Sequence, residues 1–150
     1  GAIIVSGGVY LGGTVAANKL DDYESGTFTP TFVNIGTGTY AIQIGSYTKI
    51  GNQCVCHIYL QMSALGTASG LIVVGGLPFS AVNVANRYAS TSAVHGSSWT
   101  TASAGLQGLV APSDTQVTFY EGMAASGSYT TAMADIGTGN LLFSVTYTTS

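Results

Sequence analysis

The sequence predicts an all-β fold, a sandwich or a barrel of antiparallel strands, for this chain of 150 residues. Two observations support the prediction. Short segments rich in β-branched and aromatic residues recur along the chain, and clusters of Gly, Ser, Asn and Pro separate them. Many short strands at such turn-punctuated spacing are typical of sandwiches and barrels.

The predicted strands lie at residues 27–33, 40–44, 47–50, 55–62, 71–74, 82–94, 116–120 and 141–147. The last is the clearest, because Leu141, Phe143 and Val145 alternate with residues of the opposite face, as in a half-buried antiparallel strand. Before the first strand, residues 14–24 lack Gly and Pro, and we expect Thr14 to cap a helical turn there.

A short turn sequence, Ile-Gly-Thr-Gly, occurs at residues 35–38 and again at 136–139, each time just before a predicted strand. Glycine adopts the positive φ angles that tight hairpins require. The repeat therefore predicts two similar turns. Neither copy continues into a third glycine and a helix, so a dinucleotide-binding loop is not indicated.

Charge is scarce: 6% of the residues are charged and the net charge is -3, whereas 46% are hydrophobic. Soluble domains carry about 25% charged residues. The apolar content is sufficient for one folded domain. Three cations cannot line a nucleic-acid backbone, so we expect no nucleic-acid partner. The longest apolar segment, residues 71–82, is broken by Gly and Pro, so membrane insertion is not expected.

The charges that exist are unevenly placed, because four of the nine lie within residues 19–24. This group separates an apolar, Gly-rich head from the predicted β domain. We therefore divide the chain into residues 1–24, the end of a preceding element with its linker, and residues 25–150, the main β domain.

Groupings typical of enzymes are absent from the sequence: there is no Gly-x-Ser-x-Gly, His-Glu-x-x-His or phosphate-binding loop. His57 and His95 have no acidic residue within a few positions. Cys54 and Cys56 should point to the same face of a strand as small buried residues, with His57 on the other face. We therefore expect no catalysis, metal or cofactor.

Binding is better supported, since nine Tyr and one Trp provide rings that stack on sugars and polar groups that reach their hydroxyls. The candidate glycan-binding residues are Trp99, Tyr129, Tyr88, Arg87 and His95. The alternative for each aromatic residue is packing in the core or at an interface. Arg87, the only arginine, is equally suited to anchor a carboxylate of a neighbouring chain.

Four motifs resemble the C-terminal region of bacteriophage tail fibre and tailspike proteins. They are GVYLGGT at 8–14, ANKLDDYESGTFTP at 17–30, GSYTKIGN at 45–52 and GGLPF at 75–79. In that family the first two motifs join a repetitive shaft to a C-terminal β domain. The resemblance implies a virion protein, assembled in the host cytoplasm, that forms a homotrimer and recognises the host surface, often a bacterial polysaccharide.

With this resemblance we predict a trimeric β-sandwich of jelly-roll type with a short N-terminal shaft segment. The residues expected at the trimer junction are Tyr10, Leu11, Lys19, Leu20, Asp21, Asp22, Tyr23 and Glu24. Lys19 is expected to pair with an acidic residue of a neighbouring chain. The predicted function is non-catalytic host recognition. The alternatives are a structural tip that registers the trimer and, third, a glycan-cleaving domain built on a pair of carboxylates.

Overall fold

The computed structural model describes residues 1, 7–20, 22–99, 105–120 and 133–150; for residues 17 and 93–95 it describes the backbone alone. Antiparallel strands dominate the described chain. They are β1 (Val9–Tyr10), β2 (Lys19–Leu20), β3 (Tyr23–Phe28), β4 (Thr31–Phe32), β5 (Thr39–Ile50), β6 (Gln53–Ala64), β7 (Val73–Gly75), β8 (Ala89–Ser97), β9 (Gln107–Val110), β10 (Gln116–Tyr120) and β11 (Asn140–Thr148). A single helical turn, α1 (Met133–Ile136), precedes β11.

Nine of these strands form one curled sheet in the order β3-β5-β6-β11-β8-β9-β10-β7-β4, while β1 and β2 form a separate hairpin. The strand β8 joins the two halves of the sheet, because Ala89 and Ser90 pair with β9 and the rest of the strand pairs with β11. The all-β antiparallel prediction is confirmed. The two layers of the fold are the two halves of one continuous sheet.

The core lies between these halves, and β6 and β11 contribute alternate residues to it. Leu60 and Val145 are fully buried, whereas His57, whose side chain points to the opposite face of β6, is exposed. The rings of Phe119 in β10 and Phe143 in β11 meet edge to face, 4.9 Å between centroids, and so join the two layers. Burial of these apolar side chains is the main contribution to the stability of the fold.

The two predicted Ile-Gly-Thr-Gly turns have the same geometry. The amide of Gly38 donates to the carbonyl of Ile35 at 2.9 Å, and the equivalent bond from residue 139 to residue 136 is 2.8 Å. Gly36 and Gly137 have φ angles of 57° and 58°. Each turn leads directly into a long strand, so the sequence repeat correctly predicted two equivalent turns.

Several predicted boundaries were wrong. The segments at 40–44 and 47–50 form one strand, β5, and β9 was not predicted. Residues 82–88 are not a strand; they contain a turn in which the amide of Arg87 donates to the carbonyl of Val84 and Asn86 has a φ of 63°. Residues 14–24 form a 3₁₀ turn, Ala16–Asn18, followed by β2 and the start of β3, and its N-cap position is Val15, not Thr14.

The sequence predicts a break between two strands at Gly45, but β5 continues through this residue. Gly45 pairs with Phe28 of β3, and a Cβ at this position would come within 2.7 Å of the Phe28 ring. Gly26 faces Tyr47 in the same way, at 2.9 Å. In both pairs the aromatic ring occupies the space above the glycine, so the glycines serve ring packing and not a turn.

Candidate functional site

The surface opposite the core on strands β3, β5, β6, β11 and β8 is referred to below as the outer face. Residues directly opposite each other in antiparallel strands share a face, so the pairing register identifies its rows. One row contains Ser46, His57 and Ser144, and the next contains Ile44, Tyr59 and Leu142. These six side chains line a groove of about 280 Å³.

A hydrogen bond between side chains fixes the imidazole in this groove: His57 Nδ1 lies 2.8 Å from Ser144 Oγ. A catalytic triad combines a nucleophilic serine, a histidine that accepts its proton, and a third group, usually a carboxylate, that orients the histidine. A hydrogen-bonded serine and histidine supply only the first two. Among the described residues, no carboxylate contacts His57. The pair therefore presents a ring and polar atoms at fixed positions, which suits binding.

A second recess lies further along the outer face, where Arg87 and Tyr88 follow the turn at Val84–Arg87. It has a volume of about 400 Å³ and is also lined by Ser90, Thr146 and Thr148. Tyr88 is 60% exposed, and Arg87 is exposed as well. The structure thus brings together two of the predicted glycan-binding residues and surrounds them with hydroxyl groups.

Trp99 is half-buried and packs against the core. Its indole Nε1 donates to the carbonyl of Asn140 at 2.7 Å, and a Cβ added at Gly96 or Gly139 would collide with its ring at 2.6 or 2.7 Å. The indole N–H is therefore already engaged within the chain. For Trp99 the structure thus shows packing against the core, which the sequence analysis gave as the alternative to sugar binding.

The two remaining candidates are less defined. His95 lies in β8, where its backbone pairs with Leu142 at the rim of the groove. Tyr129 lies outside the described residues.

The predicted junction residues occupy the β1–β2 hairpin and the start of β3. Tyr10, Leu11, Leu20 and Tyr23 are all exposed, and Tyr10 pairs with Lys19 across the hairpin. Asp21 lies outside the described residues. The strand β3 begins before the predicted boundary at residue 24, so Tyr23 and Glu24 pair with β5 of the main sheet.

Lys49, which the sequence analysis did not name, contacts two of the predicted junction residues. It is 8% exposed, and its ammonium binds the carboxylate of Asp22, lies 3.7 Å from Glu24 and sits 5.3 Å from the centre of the Phe79 ring. The hydrogen bond to Asp22 raises the pKa of Lys49, so the ammonium stays charged. This contact ties the linker to β5.

Cys54 and Cys56 are fully buried on the core face of β6, as predicted, with their sulfur atoms 3.7 Å apart. Burial raises the pKa of the Cys56 thiol, which keeps it protonated. Nucleophilic cysteines need a lowered pKa, so Cys56 serves to pack the core. Within the described residues, no cluster of three or more His, Cys, Asp or Glu side chains is arranged to hold a metal ion.

The sequence analysis did not name His57, Tyr59 and Ser144, which line the groove. The alternation of β6 around its buried cysteines already placed His57 on the exposed face, and the same alternation would have placed Tyr59 beside it. The pairing with Ser144 was not visible, since 87 positions separate it from His57.

Of the described helices, none is long and apolar enough to cross a membrane.

No protein-family model matches the chain, and no curated protein matches it significantly. Among solved structures it is similar to the Dettilon tailspike protein (gp208), with a TM-score of 0.65 and 14% sequence identity. The match covers 85% of this chain and 24% of the tailspike chain, so the chain spans about a quarter of that protein. The described fold is therefore one that also occurs within a tailspike.

Proposed function

We propose that this chain is the tip domain of a phage tail fibre or tailspike, located in the virion, and that it binds bacterial surface polysaccharide without cleaving it. The observation that carries the proposal is the groove on the outer face, where His57 lies between the hydroxyls of Ser46 and Ser144 and Tyr59 presents its ring in the next row. The fold likeness to a tailspike supports the same conclusion.

The groove matches the chemistry of a sugar. A pyranose has C–H faces that pack on aromatic and aliphatic side chains, here Tyr59, Ile44 and Leu142, and hydroxyl groups that exchange hydrogen bonds with serine and imidazole. Sites of this kind combine apolar contact area with a few placed polar groups. No Asp, Glu, Lys or Arg among the described residues lines the groove, so selection there depends mainly on shape and hydrogen bonds.

Binding without cleavage is supported by the position of the carboxylates. Glycoside hydrolysis ordinarily needs two of them on either side of the scissile bond. Of the carboxylates that the structure describes, none lines the groove or the Arg87 recess. Asp22 and Glu24 bind Lys49, and the carboxylate of Asp114 accepts the amide of Thr115 at 2.7 Å.

Assembly as a homotrimer is part of the proposal, and the β1–β2 hairpin supports it. Five large apolar side chains are exposed there, at Val9, Tyr10, Leu11, Val15 and Leu20. Copies that pack around a threefold axis would remove this surface from water. The reduced, buried cysteines are compatible with assembly in the host cytoplasm.

An array of purified capsular and O-antigen polysaccharides tests the function. We expect the wild type to bind at least one of them, and Tyr59→Ala to weaken that binding about tenfold or more, as for a central aromatic contact. The matched control is Val33→Ala, which truncates an exposed apolar side chain directly after β4, at the other edge of the sheet, and should bind normally.

Two results would contradict the proposal. Release of new reducing ends from a bound polysaccharide would favour the glycan-cleaving alternative. Failure of the wild type to bind any polysaccharide would favour the structural tip, whose role is to register the trimer through the exposed hairpin.

A further inference from the structure

The groove and the Arg87 recess are parts of one surface, connected by β11. Leu142 and Ser144 line the groove, while Thr146 and Thr148 line the recess. Alternate residues of a strand are about 6.8 Å apart, so these four span about 20 Å along the outer face. This is a continuous row on which one extended oligosaccharide chain can lie.

The two ends of this row differ in charge. Among the described residues, no Lys, Arg, Asp or Glu lines the groove end, whereas Arg87 lines the recess end. Of the other cations, Lys49 is bound to Asp22 and Glu24, and Lys19 belongs to the β1–β2 hairpin. Within the part of the chain that the structure describes, no hydrogen bond or ion pair engages the guanidinium of Arg87.

No described acidic residue forms an ion pair with this guanidinium, including Asp114, which contacts the recess lining. Asp114 contacts the wall of the recess through its backbone, whose carbonyl accepts the amide of Ala81 at 2.8 Å, and its carboxylate is directed to Thr115. The recess is therefore a concave, hydroxyl-lined site with one uncompensated positive charge.

We propose that the Arg87 recess binds the carboxylate of an acidic sugar, such as a uronic acid, within the polysaccharide whose neutral part occupies the groove. The inference rests on the proposed function. A guanidinium donates two parallel hydrogen bonds to a carboxylate, and the opposite charges make these bonds stronger than those that neutral sugar hydroxyls accept. The Tyr88 ring packs on the sugar, and Ser90, Thr146 and Thr148 supply partners for its hydroxyls.

The test measures the affinity of each protein variant for two chemical forms of the same polysaccharide. Polysaccharides that the wild type binds on the array are used directly and after reduction of their carboxyl groups to alcohols. Wild type, Arg87→Gln and Arg87→Lys are each titrated against both forms. Because Arg87 is exposed, the variants should fold normally, which circular dichroism and size-exclusion chromatography check.

We expect the wild type to select carboxylated polysaccharides and to lose about ten- to a hundredfold in affinity when the carboxyls are reduced, the range for a charge-assisted pair. Arg87→Gln should lose as much on the native form and nothing further on the reduced form. Arg87→Lys should recover only part of the affinity, since a lysine ammonium lacks the planar fork.

Three outcomes would overturn the inference. If Arg87→Gln and carboxyl reduction both leave binding unchanged, the acidic-sugar site is wrong while the proposed function stands. If Arg87→Gln changes the oligomeric state, the guanidinium instead anchors a carboxylate of a neighbouring chain. If the wild type binds no polysaccharide at all, the proposed function fails first and the inference with it.

Discussion

Replacing Gly45 by alanine tests how the sheet accommodates its aromatic rings. A Cβ at Gly45 would lie 2.7 Å from one ring carbon of Phe28 and 2.8 Å from two others. Carbon atoms in favourable contact are about 3.5–4.0 Å apart. The ring would have to move, yet Phe28 packs against the core. We expect a destabilisation of about 1–3 kcal/mol, the usual cost of overpacking, with a decrease in Tm of about 2–4 °C per kcal/mol.

The same substitution should have the opposite sign when the ring is absent. In a Phe28→Ala background the added methyl group meets no ring, and alanine within a strand is more stable than glycine by about 0.5–1 kcal/mol. Urea unfolding of the four proteins at one concentration gives the coupling free energy. Gly26→Ala, which faces the Tyr47 ring at 2.9 Å, is the matched case. Equal destabilisation by Gly45→Ala in both backgrounds would refute the reasoning.

Two further predictions concern ionisable groups. Burial raises the folded-state pKa of Cys56 and Tyr147. The unfolded chain therefore releases protons that the folded chain keeps, above about pH 8.5 for Cys56 and about pH 10 for Tyr147, and the free energy of unfolding should fall there by about 1.4 kcal/mol per pH unit for each such proton. Urea unfolding at increasing pH measures this slope, which Cys56→Ala should reduce; an unchanged slope would contradict the assignment. Lys49→Met should accelerate tryptic cleavage after Lys19, because Asp22 and Glu24 lose the ammonium that ties the linker to β5. Mass spectrometry of the time course should show no change after Arg87, and equal rates at Lys19 would argue against the tie.

The core face was predictable wherever a strand alternates cleanly. In β11 the alternation of Leu141, Phe143 and Val145 with outward residues identified the buried side before any pairing was known. The Ile-Gly-Thr-Gly repeat likewise predicted two turns, since its glycine geometry is local. Local periodicity and turn chemistry are properties of consecutive residues, so a single sequence reports them.

Features that depend on a distant partner were missed. A glycine within a sequence predicts a break in a strand. At position 45 glycine is needed instead because the Phe28 ring, which lies in another strand, fills the space that a side chain would occupy. The strand β9 was overlooked for a similar reason: Gly108 weakens its pattern, and the rings and methyl groups that fill the space above it come from β8 and β10. Arg87 and Tyr88 were named as candidates, but the hydroxyls beside them belong to β11, some 60 residues away. Sequence alone does not specify which strands lie side by side.

The order of strands in the curled sheet also determines how the domain carries mechanical load. The strands β3 and β4 form opposite edges of the sheet, yet only residues 29 and 30 separate them in the chain. Tension applied to the chain before Tyr23 enters the sheet through β3. If it acts along the strand, it loads the six paired positions between β3 and β5 in shear, all at once. If it acts across the strand, it opens them one at a time. The domain should therefore resist a pull along β3 more strongly than one across it, and detachment of β3 would pass the tension through residues 29 and 30 to β4 at the other edge.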